Sequence, residues 1–419
     1  MSGVTDGRAG RRSPLAGIRV LDYGQYVAAP FGTMLLADLG ADVIKVEPPQ
    51  GDQWRRQEPC GDDSSKPFVA LNRNKRSVVL DLKSDEGRRD SAALIAQAEV
   101  VVHNCPSQRA RAFGLDARSV LAANPSAVVV KISAFGSDGP EGDRAGYDLS
   151  AQAASGLLMA DARVGDDVPI RAGGIAMTDF SAGMLSAVAA LAGVVRARAT
   201  GQGGEIELSL LGAGLALQVQ RFVSVDSGDN EGRKRSDGMA TRSDLDAVAD
   251  ETALKLRQNP YYRAYGTADG FITIACLNLV QRTSLLAEFG LEDAAATNPD
   301  EPPETSDEAR RRERLGEAVA AGLAERPGRE WVERLRARGV PCEKVRTLDS
   351  LFDDAQVEAN GLVQRIWQPG MEEISLLGNL FKLDGETHQA TQPAPARGEH
   401  TREILSMLPS LALEPDVTA

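Results

Sequence analysis

Between residues 18 and 136, short β-branched runs alternate with helix-patterned stretches, and that alternation leaves few folds open. "IRVLDYG" (18–24), "ADVIKVEP" (41–48), "SVVLDL" (77–82), "EVVVHN" (99–104) and "SAVVVKISAFG" (126–136) read as strands. Between them, "PFGTMLLADLG" (30–40) opens with Pro in a first turn and stops at Gly, the usual asymmetry of a helix. "SDEGRRDSAALIAQA" (84–98) begins with acids, and a further helical stretch runs to residue 123. Nearly continuous apolar strands separated by helices require a parallel sheet covered on both faces, so the fold class is α/β with a Rossmann-like domain.

The middle of the chain changes character. Residues 148–160 and 179–200 read as helices, and "EIELSLL" (205–211) as a strand leading into an apolar helix. A polar, Gly-containing linker is expected over 226–246, a hairpin over 261–276 around "ADG", and a loop over 296–312. Helices follow around 308–325 and 328–338, which makes 226–345 a smaller α+β domain beside a large one over 15–225. "PCEKV" and a helix-like stretch then lead into an extended, Pro- and Gly-rich C-terminal part. Residues 1–14 carry an Arg pair without an apolar segment and read as a disordered tail, not a signal peptide.

Composition narrows the function. A length of 419 residues fits two or three domains, and 42% hydrophobic with 26% charged residues is ordinary for an enzyme. A net charge of −13 excludes a general nucleic-acid binder and means that an anionic ligand needs a locally basic site. Cys60, Cys105, Cys276 and Cys342 form no CxxC pair, so the expected compartment is a reducing cytoplasm. His103, His388 and His400 have no metal-site spacing, and no membrane span is predicted. The loop "DYGQYVAAPFG" lacks the GxGxxG fingerprint, no P-loop occurs, and "FGSDGP" is not a nucleophile elbow. Nicotinamide binding and Ser-hydrolase chemistry both lose support. The small Ala28 and Ala29 before Pro30 fit either a tight connection or the approach of a phosphate to a helix N-terminus. Arg73, Lys75, Arg76 and Lys83 fit either a solvated loop or a phosphate-binding edge.

Asp179, in "GGIAMTDFSAG", precedes a long apolar helix that ends in Arg196, Arg198 and Gly201. As an N-cap it would complement the helix dipole by ~0.3–1 kcal/mol. The same place suits a carboxylate nucleophile, ionised by the dipole, with Ala182 and Gly183 leaving room for a substrate. Local sequence leaves both open, and Asp148 in "AGYDLSAQAASG" poses the same alternative.

Several collinear stretches together resemble the family III CoA-transferases. They are "PLAGIRVLDYGQYVAAPFGTMLLADLGADVIKVEPPQGD", "LNRNKRSVVLDLK", "AGYDLSAQAASGLL", "AMTDFSAGMLSAVAALAGVVRARATGQGGEIELSLL", "WVERLRARGVPCEKV" and "PAPARGEHTREIL", spanning about residues 14–405. The resemblance implies a large domain built from both chain ends, with 346–419 returning to it, and an interlocked homodimer. It implies Asp179 as nucleophile toward an acyl-CoA, with a carboxylic acid as acceptor and no metal, nicotinamide or flavin. By the same resemblance Val27, Ala28, Leu80, Lys83, Asn104 and Cys105 contact coenzyme A, and Gln25 and Tyr147 line the substrate pocket. After Asn104 the family reads "NFRPG…RLGL" where this chain has "NCPSQRARAFGL", so Arg109 or Arg111 is expected to replace the family's arginine. The Gly-rich loop of the formyl-CoA branch is absent. Racemases of the family carry His before the Asp of "GHD"; Tyr147 stands there, and a phenol of pKa ~10 is a poor base. A racemase using another base and a CoA-binding protein without catalysis are the alternative expectations.

Overall fold

A computed structural model describes residues 13–61, 63–160, 167–170, 174–224, 239–294, 296, 305–387 and 390–408, with 251–258 by backbone alone. The expected tail through residue 12, the linker over 226–238, most of the 296–304 loop and His388 lie outside the described residues; Ser13 and Pro14 belong to the turn before the first strand.

The chain divides into two units, the first comprising 1–157, 171–229 and 354–419. Its elements in chain order are β1 (Arg19–Asp22), α1 (Ala28–Asp38), β2 (Asp42–Glu47), α2 (Lys66–Asn72), β3 (Lys75–Val79), α3 (Asp85–Ile95), β4 (Val100–His103), α4 (Ser107–Phe113), α5 (Ala117–Ala123), β5 (Val128–Ser133) and α6 (Asp148–Ala154). Past a short α7 (Leu157–Ala160), of which only Leu157 belongs to this unit, come α8 (Met177–Thr200), β6 (Gly204–Ser209) and α9 (Leu210–Ala216). The six strands form one parallel sheet in the order β3–β2–β1–β4–β5–β6. Alternate strand residues feed two cores. Val20, Val43, Val100 and Val128 meet α1 and α8, whereas Leu21, Ile44, Val101 and Val129 meet Leu94, Leu115 and Val120. This two-sided burial is why the strands read as unbroken apolar runs.

β3 lies two residues earlier than its sequence pattern suggests. Ser84 caps α3 by accepting from Gly87 N at 3.0 Å, which leaves Leu80–Lys83 as a turn at the strand's C-terminal end. α8 is long and apolar enough to cross a membrane, a span not predicted from the small-residue interruptions. It lies instead on β5 and β6 and crosses α1 at two facing glycines. A Cβ on Gly32 would fall 2.0 Å from Ser186 Oγ, and one on Gly183 would fall 2.8 Å from the Ala28 carbonyl, so this crossing tolerates no side chain.

The second unit comprises 158–170 and 230–353. Here α10 (Arg242–Gln258) begins inside the stretch expected to be a linker. β7 (Tyr262–Gly266) and β8 (Phe271–Ala275) form the predicted antiparallel hairpin. α11 (Leu279–Glu288), α12 (Ser306–Leu323) and α13 (Gly328–Ala337) pack on it, and β9 (Cys342–Lys344) adds a third strand where "PCEKV" stood.

Back in the first unit, α14 (Ala355–Ala359) is followed by two hairpins, β10 (Val363–Gln368) with β11 (Glu372–Leu377) and β12 (Lys382–Leu383) with β13 (Glu386–Thr387). The C-terminal stretch is therefore more regular than its Pro and Gly content indicates. It ends in α15 (Thr401–Ser406), whose Ile404 enters the second core. Thr401 Oγ1 accepts from Val79 N at 3.0 Å, so this segment covers the open edge of β3.

Candidate active site

The strand order reverses between β1 and β4, and ligands of open α/β sheets bind at such switch points. The loops leaving those two strands face each other here. Asn104 Oδ1 accepts from Gln25 N at 3.1 Å, and Asn104 Nδ2 donates to the Gln25 carbonyl at 2.9 Å. Its carboxamide thus acts as a strand-like bridge across the crevice.

The rest of the β1 loop is held from below by buried charges. Asp22 Oδ1 accepts from Gly24 N at 2.9 Å, Lys45 Nζ donates to the Gly24 carbonyl at 2.9 Å, and Asp52 Oδ1 accepts from Tyr26 N at 3.3 Å. Lys45 pairs with Asp52 at 2.8 Å and Lys75 with Asp22 at 2.9 Å. Burial alone would raise the Asp22 carboxyl, but Lys75 and Lys45 hold it below the ordinary carboxylate range. Burial pulls Lys75 down to about 8 against the attraction of Asp22. Side chains therefore satisfy five successive backbone groups from Gly24 N to Tyr26 N, and Tyr26 is kept at φ +66°. Its ring meets Trp54 and Tyr147 edge-on, with centroids 5.6 and 5.8 Å away.

α8 begins at Met177, so Asp179 is its third residue and not its N-cap, which corrects one of the two local readings. The capping acceptor comes from thirty residues upstream. Asp148, the buried first residue of α6, accepts from Thr178 N at 3.0 Å and Thr178 Oγ1 at 2.7 Å, and from Gln152 Nε2 at 2.8 Å. One carboxylate thus serves the start of the helix, and the other, in its first turn, lines a cavity.

This first cavity, about 380 Å³, is bordered by Asp179, Gln25, Val27, Ala28, Asn104 and Tyr147, together with Cys105 and Arg109. A second cavity of about 600 Å³ is lined by Leu80, Lys83 and Arg56 and shares Gln25, Cys105 and Arg109 with the first. Of the two arginines expected to replace the family's, Arg109 stands on the shared wall. Arg111 is exposed in the last turn of α4 and borders neither cavity; its place, two residues on, falls on another side of the helix. Burial pushes the Cys105 thiol up to about 11, only partly opposed by Arg109, so it stays protonated at neutral pH.

The first cavity also contains residues that sequence reasoning missed: Tyr26, Gln53, Lys131, Ser133 and Arg144. Lys131 donates to Ser107 Oγ at 2.7 Å and lies 3.6 Å from both Asp143 and Glu207. Ser107, with Lys131 beside it, holds Asp143 below the usual carboxylate range. The available signal was "GDRAGYD", whose arginine stands three residues before a residue already assigned to the pocket.

The model of CoA-transferase family III matches residues 15–401. The mouse succinyl-CoA:glutarate CoA-transferase is 31% identical over 403 residues, covering 94% of this chain and 86% of that protein. The Haloarcula hispanica succinyl-CoA:mesaconate CoA-transferase is 30% identical, covering 93% and 94%. A CaiB/BaiF family protein from Brucella suis superposes with a TM-score of 0.74 at 26% identity, over 95% of this chain and all of that one. The chain belongs to CoA-transferase family III and is a CoA-transferase acting on CoA thioesters.

Proposed function

We propose that this enzyme moves CoA from succinyl-CoA, or a similar short dicarboxylyl-CoA, to a short dicarboxylic acid, with Asp179 as covalent nucleophile. The observation that carries the nucleophile is the position of Asp179 in the first turn of a 24-residue helix, on the wall of a cavity at the switch point of the sheet. The acid class is supported by relatives named for succinyl-CoA, glutarate and mesaconate at about 30% identity.

In this reading the second cavity takes the nucleotide end of CoA, with Lys83 and Arg56 facing its phosphates and Arg109 at the passage between the cavities. Leu80, Val27, Ala28, Asn104 and Cys105 border the path of the chain that leads to the thioester. The Asp179 carboxylate attacks the thioester carbonyl and expels the CoA thiolate, leaving an acyl–aspartyl anhydride. The thiolate then attacks the aspartyl carbonyl, and the donor acid leaves with its electron pair as a carboxylate. The acceptor carboxylate reverses the two steps, forming a new anhydride and then a new thioester, and Asp179 is regenerated. Each step exchanges one activated acyl bond for another of similar energy. The positive end of α8 favours the ionised carboxylate the first step needs.

We further propose that the working form is the interlocked homodimer. Large apolar side chains exposed on the first unit support it, among them Val188 and Val195 on α8 and Phe222 beyond α9, at 62%, 70% and 69%.

The nucleophile is tested by incubating the protein with succinyl-CoA, quenching with hydroxylamine or borohydride, and reading the peptide around Asp179 by mass. Modification there, absent in Asp179→Asn together with all transfer, is the expected result. Turnover without any modification, or an active Asp179→Asn protein, would sink the assignment.

A further inference from the structure

We propose that Arg144 is the residue that selects dicarboxylic substrates, its guanidinium holding the carboxylate that does not react. The inference rests on the acid class proposed above. It begins from a charge problem: the chain carries a net −13, so the far end of a dianion must meet a cation placed in the cavity itself. Among the described residues, three cations border the cavity of Asp179, namely Arg109, Lys131 and Arg144.

Two of them are committed elsewhere. Arg109 also borders the second cavity and stands on the CoA side. The Lys131 ammonium, with its side chain only 10% exposed, is surrounded by Ser107, Ser137, Asp143 and Glu207, and its charge is met by two carboxylates. Its work is to pin the loop between β5 and α6. Ser137 Oγ also donates to Glu207 at 2.6 Å, Ser107 Oγ bonds Asp143, and Asp143 N donates to the Gly136 carbonyl at 3.1 Å.

Arg144 is the cation that this pinned loop presents. Its guanidinium carbon lies 4.1 Å from the centre of the Phe135 ring, which orients the planar group. Two residues on, Gly146 passes so close to the same ring that a Cβ would fall 2.7 Å from Phe135 Cε2, and this fixes the path from Arg144 to Tyr147. Among the described residues, the one carboxylate paired with Arg144 is Glu141, in a bridge with both side chains more than half exposed. Such a pair contributes little and is readily exchanged for a substrate carboxylate. A guanidinium suits this work because it offers parallel N–H donors to both oxygens of a carboxylate.

The test is a competition that cancels the donor. The full-length enzyme receives succinyl-CoA and an equimolar mixture of glutarate and pentanoate, which share a five-carbon chain but differ in the second carboxylate. The ratio of glutaryl-CoA to pentanoyl-CoA is read by mass spectrometry at early times. The wild type is expected to favour glutarate, and Arg144→Gln to lower the ratio by roughly 10–100-fold, the value of one charge-assisted pair. An intermediate ratio in Arg144→Lys, which keeps the charge and loses the fork, supports the assignment. A ratio unchanged in Arg144→Gln overturns it while leaving the acid class standing. A wild type without preference for glutarate overturns the acid class, and the role of Arg144 with it.

Discussion

At the scale of single residues, the site shows how burial assigns roles that residue type alone leaves open. Asn104, which the family resemblance places against CoA, also joins two loops through its carboxamide, and it borders the cavity as the strut that keeps Gln25 in place. His103, one residue earlier, is fully buried on β4, and neither ring nitrogen makes a well-formed hydrogen bond. Burial, with Lys131 beside it, lowers its pKa to about 4, although Asp116 and Glu207 pull the other way. The native state therefore keeps the ring neutral while the unfolded chain takes up a proton below about 6.5. Stability should hold above pH 6.5 and fall by about 3 kcal/mol as pH drops toward 4, because the unfolded state binds more protons throughout that window. Denaturant melts at half-unit pH steps measure this. His103→Leu should flatten the profile between pH 6.5 and 4.5, and a variant that keeps the wild-type slope would refute the account.

Among elements, α8 decides most. Its composition announced a buried apolar helix, and the arginines and Gly201 at its end stand where a C-terminus needs them, with Gly201 left-handed at φ +73°. Its start was misread because the acceptor for its first turn belongs to α6, and no local pattern reveals a cap supplied across thirty residues. This yields a prediction that separates the two aspartates. Asp148→Ala leaves Thr178 N and two side chains without their buried acceptor and should cost about 1–3 kcal/mol. It should also slow the proposed trapping of acyl groups on Asp179 without abolishing it, since that carboxylate remains but its turn is loosened. Thermal melts paired with single-turnover trapping check both effects. A variant as stable and as fast as the wild type would show that α8 needs no cap from α6.

For the whole molecule, the exposed apolar residues of α8 and the chain beyond α9 belong to the proposed dimer. Light scattering on the purified protein should give twice the chain mass, and dilution to nanomolar concentration should not dissociate an interlocked pair within hours. A monomer at micromolar concentration would end that reading. Much of the architecture was legible beforehand, because strands buried on two faces and helices with capped ends write their periodicity into neighbouring residues. The strands of the sheet came within about three residues, the short helix Lys66–Asn72 was not read, and the motif order pointed to the family. What the chain could not announce locally were the placements that make the site: Asn104 bonded to Gln25, Asp148 to Thr178, Lys45 and Asp52 to the β1 loop, and Arg144 on the same cavity wall as Asp179. Each joins residues separated by other elements, and the order of the parallel sheet sets which loops meet at its switch point. The sequence alone thus determined the layers and the apolar helix that carries Asp179, while tertiary structure decided which side chains hold that helix and loop in place, because those partners become neighbours only once the sheet has formed.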